Sequence, residues 1–376
     1  MAVIKPLQEN IVQEKKSINV RSMNKVAYLT VLTVLLFNAC SKDESIAPDN
    51  GTPVVQAESS YTVLKDENIT YAEGLSHNMT STSPFAIPLK LDVYYPDNNS
   101  TNRPVFMFIH GGGFNGGTKT KPEIVEMANY YASRGWVFAS IDYRTVEELG
   151  IIQGMTPAEL LTYYRGIAPQ EWVENALQGA QSSDEVQQAT AMYLAQRDSK
   201  AALRWIVANA STYNINKDFI TVGGASAGAI TTIALGISNL EDFRDEITMS
   251  DDPTLSTTNL NESYVVRSMV YFWGSNIKLD IFEAVYNLEQ YDRYDASDPE
   301  LFMGHGTAQD LVTPYEEALE LQSIYNSLGI YNKLATLTKP NGEPIGHGAW
   351  NGVVDGKGLF ELTFDFLVER QNLSVE

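Results

Sequence analysis

The sequence of 376 residues is poor in side chains that form disulfides or bind metals, with one cysteine and four histidines. A single thiol cannot close an intramolecular disulfide, and zinc sites need several cysteine or histidine ligands at short spacings. Positive charge is also scarce: 26 Lys and Arg stand against 47 Asp and Glu, a formal net charge of −21. Such a surface repels phosphate backbones, and the glycine run at residues 111–113 lacks the lysine of a phosphate-binding loop. We therefore predict no metal site, no cofactor and no nucleic-acid partner.

The one cysteine, Cys40, ends a stretch with the order of a secretory signal. Lys25 precedes an uncharged run from Val26 to Ala39, and this run is shorter than the roughly 20 apolar residues that cross a bilayer as a helix. One interpretation of a lone cysteine is a small buried apolar residue. Leu36 and Ala39 ahead of Cys40, however, resemble the lipobox of bacterial lipoproteins, which implies cleavage before Cys40 and acylation of this residue.

Residues 41–44, Ser-Lys-Asp-Glu, resemble the acidic export signal of lipoproteins in Bacteroidetes-like bacteria. This resemblance implies a protein anchored through lipid to the bacterial outer membrane, at the cell surface. Met23 is a more typical signal start than the first residue, so residues 1–22 are open to a second interpretation as an upstream extension. We predict a signal segment over residues 1–39. A lipidated cysteine and a flexible tether, rich in Ser, Asp, Pro and Gly, follow over residues 40–60.

From about residue 61 onward, apolar runs alternate with segments of helical periodicity. The run from Val105 to Ile109 is continuous, as in a strand buried on both faces of a sheet. Residues 121–135 instead carry apolar side chains at helical spacing and stop at a glycine. Further strands are predicted over residues 91–95, 136–144, 218–222, 264–274, 301–306 and 332–339, and further helices over residues 200–210, 229–237, 313–329 and 358–371. The alternation predicts one α/β domain over residues 61–376 with a mostly parallel sheet.

The segment of residues 145–197 interrupts this alternation because it holds no convincing strand. Thr156 and Glu159 have the spacing of a capping box, as do Thr313 and Glu316 ahead of a later helix. We therefore predict a helical insertion. Its most prominent aromatic residues are Tyr163, Tyr164 and Trp172. Core packing and a cap over the active site are both open interpretations of these rings.

Gly224, Ser226 and Gly228 form a G-x-S-x-G motif between a predicted strand and a predicted helix. A serine hydroxyl is a weak nucleophile unless a sharp strand-to-helix turn exposes its Oγ beside the helix amino terminus. Glycine at the two flanking positions avoids a Cβ collision across such a turn. Ser226 is therefore a candidate nucleophile.

Residues 110–114, His-Gly-Gly-Gly-Phe, follow the predicted buried strand. Glycines at this position allow backbone N–H groups to turn toward a substrate oxyanion. Together with the Ser226 motif, they resemble the α/β-hydrolase esterases of the hormone-sensitive-lipase-like branch, near bacterial feruloyl and acetyl esterases. The resemblance covers most of residues 61–376 and includes D-Y-R at residues 142–144 and D-S-K-A-A-L-R-W at residues 198–205.

This resemblance implies an α/β-hydrolase fold and a set of site residues. It implies Ser226 as the nucleophile, and the backbone N–H groups of Gly112, Gly113 and Ala227 as the oxyanion hole. His110 is then a structural residue that orients the glycine loop, and the catalytic base must be another histidine.

Three histidines remain as candidates for the base. His77 precedes the sheet core among polar residues, and we predict that it lies on the surface. His305 ends a predicted strand, where the family often has the same His-Gly, and a structural role is favoured. His347 lies between the last strand and the last helix, as the chain order of nucleophile, acid and histidine requires. We assign the base to His347.

The acid of a triad with this chain order should follow the penultimate strand. Asp310 does so, although the family more often has its carboxylate one residue nearer the His-Gly-Thr, where this chain has Gln309. A buried aspartate there accepts the imidazole N–H and fixes the tautomer of the base. The alternatives, Asp295 and Asp298, precede the strand and would lie at its opposite end.

These residues predict a serine carboxylesterase that acts through an acyl-enzyme. The resemblance points to acetyl or feruloyl esters of plant polysaccharide, or to small esters, as substrates. The alternative is a lipase or a short-chain esterase of broad range. A hydrolase fold without catalysis, used for binding, is less favoured because Ser226, Asp310 and His347 are all present.

Overall fold

The computed structural model describes residues 51–77, 83–276 and 294–376. The predicted signal segment, Cys40 and the first half of the predicted tether lie outside the described residues. None of the helices within these ranges combines the length and apolar character needed to cross a membrane.

The strands of the described residues are β1 (Val54–Val55), β2 (Val63–Ser76), β3 (Phe85–Pro96), β4 (Arg103–Ile109), β5 (Val137–Ile141), β6 (Ile215–Ala225), β7 (Ser268–Phe272), β8 (Glu300–Gly306), β9 (Asn332–Leu337), β10 (Val353–Val354), β11 (Lys357–Gly358) and β12 (Ser374–Val375). Eight of these strands form one sheet, in the order β2-β3-β5-β4-β6-β7-β8-β9. In this sheet the first two pairings, β2 with β3 and β3 with β5, are antiparallel, and the other pairings are parallel. The mostly parallel sheet predicted from the sequence is confirmed.

Helices cover both faces of this sheet. They are α1 (Pro122–Ala132), α2 (Pro157–Tyr163), α3 (Gln170–Gly179), α4 (Ser183–Ala208), α5 (Ala210–Tyr213), α6 (Ala227–Ile237), α7 (Tyr315–Leu328) and α8 (Leu359–Gln371). Two short 3₁₀ turns lie at Val146–Glu148 and Pro253–Thr257.

Strand β4 shows why the sheet is buried on both sides. Successive side chains of a strand point to opposite faces, and all seven residues of β4 are buried. Val105 and Met107 join the core beneath α4, α6 and α7, whereas Phe106 and Phe108 join the core beneath α1 and α8. An unbroken apolar run is therefore what this central strand requires.

Several predicted elements differ from the structure in extent. The strand predicted over residues 264–274 is confined to Ser268–Phe272. Within the predicted tether, Val54 and Val55 form β1, which pairs in parallel with β12, and Val55 is fully buried. The buried Val55 gains more from packing than a solvated linker allows, so the end of the predicted tether packs against the domain.

The segment of residues 145–197 contains α2, α3 and the first half of α4. The predicted capping box at the start of α2 is present: the Thr156 side chain accepts from the Glu159 amide, and Glu159 accepts from Thr156. Tyr164 and Trp172 are almost fully buried, and the indole N–H of Trp172 donates to the carbonyl of Ala189 at 2.7 Å. These aromatic side chains are core packing.

A buried ion pair joins the two further stretches singled out from the sequence, residues 142–144 and 198–205. The guanidinium of Arg144 donates to both carboxylate oxygens of Asp198, at 2.6 Å from Nη2 and 3.0 Å from Nε, and both side chains are 2% exposed. The backbone N–H of Arg144 also donates to Asp198, at 2.9 Å. This pair fixes the loop after β5 to the middle of α4.

We expect Asp198→Asn to be strongly destabilising. The substitution leaves the Arg144 guanidinium buried without a countercharge, which typically costs about 3–5 kcal/mol of unfolding free energy. Urea denaturation followed by circular dichroism measures the change. Glu343→Gln, which breaks the exposed pair with Lys339, is the control and should leave the denaturation midpoint almost unchanged. Equal midpoints for the two variants would contradict the prediction.

Candidate active site

Ser226 lies in a strained turn between β6 and α6. Its backbone has φ of 56° and ψ of −121°, a positive-φ conformation that is uncommon for a residue with a Cβ atom. The amide of Ser226 donates to the carbonyl of Phe272 at 2.9 Å, which holds the turn against the end of β7. Between residues 219 and 235 every residue is buried except Ser226. The turn therefore exposes this one hydroxyl at the carboxyl edge of the sheet.

The two glycines of the motif allow this close packing. A Cβ atom on Gly224 would overlap the carbonyl of Gly228, and a Cβ atom on Gly228 would overlap the carbonyl of Ile109 at the end of β4. The Ser226 turn and the loop after β4 can approach each other only without these side chains.

We expect Gly228→Ala to disrupt the site. The new methyl group would meet backbone atoms of Ile109 and His110, which cannot move aside as a flexible side chain can, so a loss of about 1–3 kcal/mol or more is expected from overpacking. Thermal unfolding and ester hydrolysis measure the effect. Gly179→Ala at the end of α3, where nothing lies within 4 Å of the added Cβ, is the matched control. A Gly228→Ala protein with the stability and turnover of that control would contradict the prediction.

The glycine loop after β4 has two fixed peptide groups. His110 Nδ1 donates to the carbonyl of Gly111 at 2.8 Å, and the amide of Asn115 donates to the carbonyl of Gly112 at 3.0 Å. Because these peptide bonds are trans, the N–H groups of Gly112 and Gly113 point opposite to the anchored carbonyls. The loop thus presents two adjacent amide donors in fixed orientations.

His110 itself is buried and packed. Its ring stacks on Tyr143 with centroids 4.3 Å apart. A carbonyl can only accept, so the bond to Gly111 places a proton on Nδ1. Burial lowers the pKa of His110. These contacts agree with the structural role that the sequence implied.

His347 and Asp310 form a direct pair. His347 Nδ1 donates to Asp310 Oδ2 at 2.8 Å, and the Asp310 side chain is 2% exposed. The second carboxylate oxygen, Oδ1, accepts from the amides of Val312 at 2.9 Å and Thr313 at 3.1 Å. Burial raises the pKa of Asp310, but these hydrogen bonds outweigh it and the pKa lies below its ordinary value. Asp310 is therefore an ionised acceptor that leaves Nε2 of a neutral His347 unprotonated.

Thr313 belongs to the site although its sequence pattern is typical of a helix cap. It was predicted to cap α7, but the helix begins at Tyr315 with Pro314 as its N-cap and no side-chain cap bond. The Thr313 hydroxyl instead donates to Asp310 Oδ2 at 2.8 Å, and its oxygen lies 3.0 Å from His347 Nδ1. A hydrogen bond to an ionised carboxylate is about twice as strong as one between neutral groups, so the hydroxyl orients toward Asp310.

The other two histidines take no part in the hydrogen bond between His347 and Asp310. His305 is buried, with Nδ1 donating to the carbonyl of Gly306 at 2.8 Å, which agrees with a structural role. The surface position predicted for His77 is wrong. Its ring is 1% exposed, stacks on Tyr163 with centroids 3.7 Å apart, and bonds the carbonyl of the same residue at 2.7 Å. This tertiary contact with α2 gives Nε2 of the imidazole a partner and buries the ring although its sequence neighbours are polar.

One cavity of about 460 Å³ brings the predicted residues together. Its lining consists of Gly111, Gly112, Gly113, Gly117, Thr118, Lys121, Ile124, Ala225, Ser226, Trp273, Val312, His347, Gly348 and Trp350. Asp310 lies behind His347, and Ala227 is the first residue of α6, where amides have no intrahelical partner. The alternatives Asp295 and Asp298 lie ahead of β8, at the opposite end of the strand from Asp310. No residue of 145–197 lines this cavity.

Part of the cavity wall is formed by two aromatic side chains. Trp273 and Trp350 meet edge to face with ring centroids 5.1 Å apart. Trp273 has φ of 36°, a strained value for a bulky residue of the kind that clusters at binding sites. The ammonium of Lys121 lies 5.9 Å from the Trp350 ring centroid.

Comparison with known protein families shows a match to one of them. The BD-FAE family matches residues 91–157 and 184–324, more than half of the chain. The chain belongs to the BD-FAE family. This is a family of esterases, and the match contains Ser226 and Asp310. The unmatched stretch between the two blocks contains α3 and most of α2.

Individual proteins are also similar to this chain. Carboxylesterase 1C of Rattus norvegicus is 28% identical over 194 residues, which are 49% of this chain and 29% of that protein. The chain thus matches less than a third of that relative's length. The apo form of esterase 2 from Thermogutta terrifontis has a TM-score of 0.51 at 19% identity, over 82% of this chain and 96% of the esterase. Its butyrate-bound form has a TM-score of 0.50 at 19% identity, over 75% and 90%. These structures show that the BD-FAE chain has the α/β-hydrolase fold.

Proposed function

We propose that this BD-FAE protein is a serine carboxylesterase with Ser226, His347 and Asp310 as its triad. The observation that carries the proposal is the Asp310–His347 pair at 2.8 Å, with His347 lining the same cavity as Ser226. An aspartate that fixes a histidine tautomer beside an exposed serine in a strained turn is the arrangement that acyl transfer requires.

The proposed reaction proceeds in two halves. Nε2 of His347 takes the proton of Ser226 as Oγ attacks the ester carbonyl, and a tetrahedral oxyanion forms. The N–H groups of Gly112, Gly113 and Ala227 bind this oxyanion. His347 then gives its proton to the departing alcohol, which leaves an acyl-enzyme, and water repeats the sequence to release the acid.

Activity-based labelling tests the mechanism directly. A fluorophosphonate probe should modify the wild-type protein at Ser226, as identified by peptide mass spectrometry, and should not modify Ser226→Ala. The folded state of both proteins is checked by circular dichroism. A folded wild type that the probe does not label and that hydrolyses no ester would overturn the proposal.

We extend the proposal to acetyl or feruloyl esters of plant polysaccharide as substrates. Two features support it. Trp273 and Trp350 give the cavity an aromatic wall suited to a feruloyl ring. A second, polar cavity of about 250 Å³ adjoins the first across Gly117 and Thr118, and its lining includes the charged side chain of Glu147, which can hydrogen-bond sugar hydroxyls. The substrate panel is acetylated xylan, methyl ferulate, a feruloylated oligosaccharide and a triglyceride, with Ser226→Ala as the blank.

A lipase or a short-chain esterase of broad range is the second candidate. The observation that favours it is the exposed apolar pair Leu311 and Val312, 86% and 63% exposed, of which Val312 lines the cavity. Nitrophenyl esters of increasing acyl length separate the candidates. Rates that rise toward long acyl chains support a lipase. Rates that collapse beyond butyrate contradict a lipase and agree with a short-chain esterase.

We also propose that the protein is exported and held at the outer membrane by acylation of Cys40. The support is the sequence pattern around Cys40, which lies outside the described residues. Expression in a bacterial host with radiolabelled palmitate should label the wild type, and Cys40→Ala should lose both the label and the membrane fraction. An unlabelled wild type that remains soluble after export would contradict this proposal.

A further inference from the structure

A glutamine of the insertion contacts the glycine loop. Gln188, in the first half of α4, donates from Nε2 to the carbonyl of Gly113 at 2.7 Å. The same carbonyl accepts from Nδ2 of Asn115 at 3.2 Å. Gln188 is half-buried, and it does not line the cavity that contains Ser226. Its side chain therefore contacts the glycine loop from outside this cavity.

The helix that carries Gln188 is rigidly supported. The indole of Trp172 on α3 donates to Ala189, the next residue along α4. Further along the same helix, Asp198 forms the buried pair with Arg144. Helix α4 also packs against α6, which begins directly after Ser226. Gln188 thus projects from a fixed element toward a loop that consists mainly of glycine.

Gly113 needs such a contact because its own backbone is permissive. It adopts φ of 62°, and glycine visits many alternative conformations at little cost. The bond from Asn115 to Gly112 fixes the peptide group on one side of Gly113. The bond from Gln188 fixes the peptide group on the other side. Together they hold the Gly113 N–H in one direction.

We propose that Gln188 is a positioning residue for the oxyanion hole, through which the helical insertion orients the Gly113 N–H. The inference rests on the proposed esterase function. It gives the insertion a part in catalysis without contact with substrate. Its effect should appear in the stabilisation of the transition state and not in the binding of the ester.

The adjacent residue supplies a matched control. Gln187 donates from Nε2 to the carbonyl of Gly150, also at 2.7 Å, on the same helix and away from the glycine loop. Gln187 is the more buried of the two. If loss of stability alone lowered activity, substitution of Gln187 would therefore do more harm than substitution of Gln188.

The test compares Gln188→Glu with Gln187→Glu on a nitrophenyl ester. Glutamate keeps the shape of glutamine but, when ionised, offers no donor. We expect Gln188→Glu to lower kcat about ten-fold with KM nearly unchanged, as for loss of one hydrogen bond from the transition state. Gln187→Glu should keep kcat close to the wild-type value. Thermal unfolding of each protein is measured in parallel.

A pH series adds a measurement that a purely structural role of Gln188 would leave unchanged. A protonated glutamate regains an O–H donor, so the rate of Gln188→Glu relative to wild type should rise as the pH falls toward the ordinary glutamate pKa of about 4.3. The ratio cancels the titration of the base, and the same ratio for Gln187→Glu should stay flat. Gln188→Met and Gln187→Met, which carry neither donor nor charge, replace the glutamate variants if those do not fold.

The outcomes separate this inference from the proposed function. An active wild type with equal kcat in the Gln187 and Gln188 variants, or with a loss in Gln188→Glu that lies in KM, overturns the positioning role and leaves the esterase intact. A folded wild type without hydrolysis or probe labelling removes the esterase itself.

Discussion

Ser226→Ala lowers turnover by about 10⁶-fold while the fold remains intact, which is the expected result for loss of the nucleophile of a triad. Alanine keeps the Cβ atom, so the strain of the turn at φ of 56° is the same in both proteins. Only the hydroxyl is lost. The remaining rate comes from the oxyanion donors and from substrate binding, because the bond to the acyl group can no longer form.

The measurement is kcat on a nitrophenyl ester, together with thermal unfolding. Ser238→Ala is the matched control, because Ser238 ends the same helix and its hydroxyl donates only to the carbonyl of Leu235, at 3.3 Å. This control should hydrolyse the ester at the wild-type rate. A Ser226→Ala protein that is as active as Ser238→Ala would show that the nucleophile is elsewhere.

The fold could be predicted because its strongest signals are local. The apolar run of β4 is long and unbroken, since this strand is buried on both faces. The helix over residues 122–132 follows from apolar spacing and a proline at its first turn. The end of the tether could not be predicted in the same way, because Val54 and Val55 gain their strand partner from the carboxyl terminus of the chain.

The candidate site could be predicted where chain order carries the information. The motifs around Gly112 and Ser226 are contiguous, and Asp310 and His347 follow from the order of strands. Thr313 was misassigned because a threonine ahead of Pro-x-Glu has the pattern of a helix cap, and the pattern does not show that a carboxylate lies within reach. Gln188 had no signal at all, since a polar residue on a helix is usually solvated.

The burial of His77 also could not be predicted from the residues next to it in the sequence. Its neighbours in sequence are polar, but its ring contacts the ring and carbonyl of Tyr163, 86 residues away, and its amide donates to the carbonyl of Glu148. Contacts between distant segments decide such positions. The residues that position a site are therefore harder to predict than those that carry its chemistry.

Asp310→Asn should lower kcat by about 10⁴-fold with the geometry of the site preserved, because the substitution changes which nitrogen of His347 carries the proton. The amides of Val312 and Thr313 both donate to Oδ1. The asparagine oxygen will take this position, since an NH₂ group there would face two donors. Its NH₂ group must then point at His347 Nδ1, which can only accept. The proton moves to Nε2, and His347 can no longer take the proton of Ser226.

The same carboxylate also makes a pH-dependent contribution to stability. Its pKa is lowered in the folded protein, so the contribution is present above the unfolded value of about 3.9 and is lost as the pH falls through the folded value. Wild type and Asp310→Asn should therefore converge in stability in acid.

Asp295→Asn is the control for the loss of turnover in Asp310→Asn. Asp295 accepts from the amide of Ser297 at 2.6 Å, ahead of β8, and the variant should retain wild-type turnover. If Asp295→Asn lost activity and Asp310→Asn kept it, the triad would have its acid at the other end of the strand, and the pairing at 2.8 Å would be structural only.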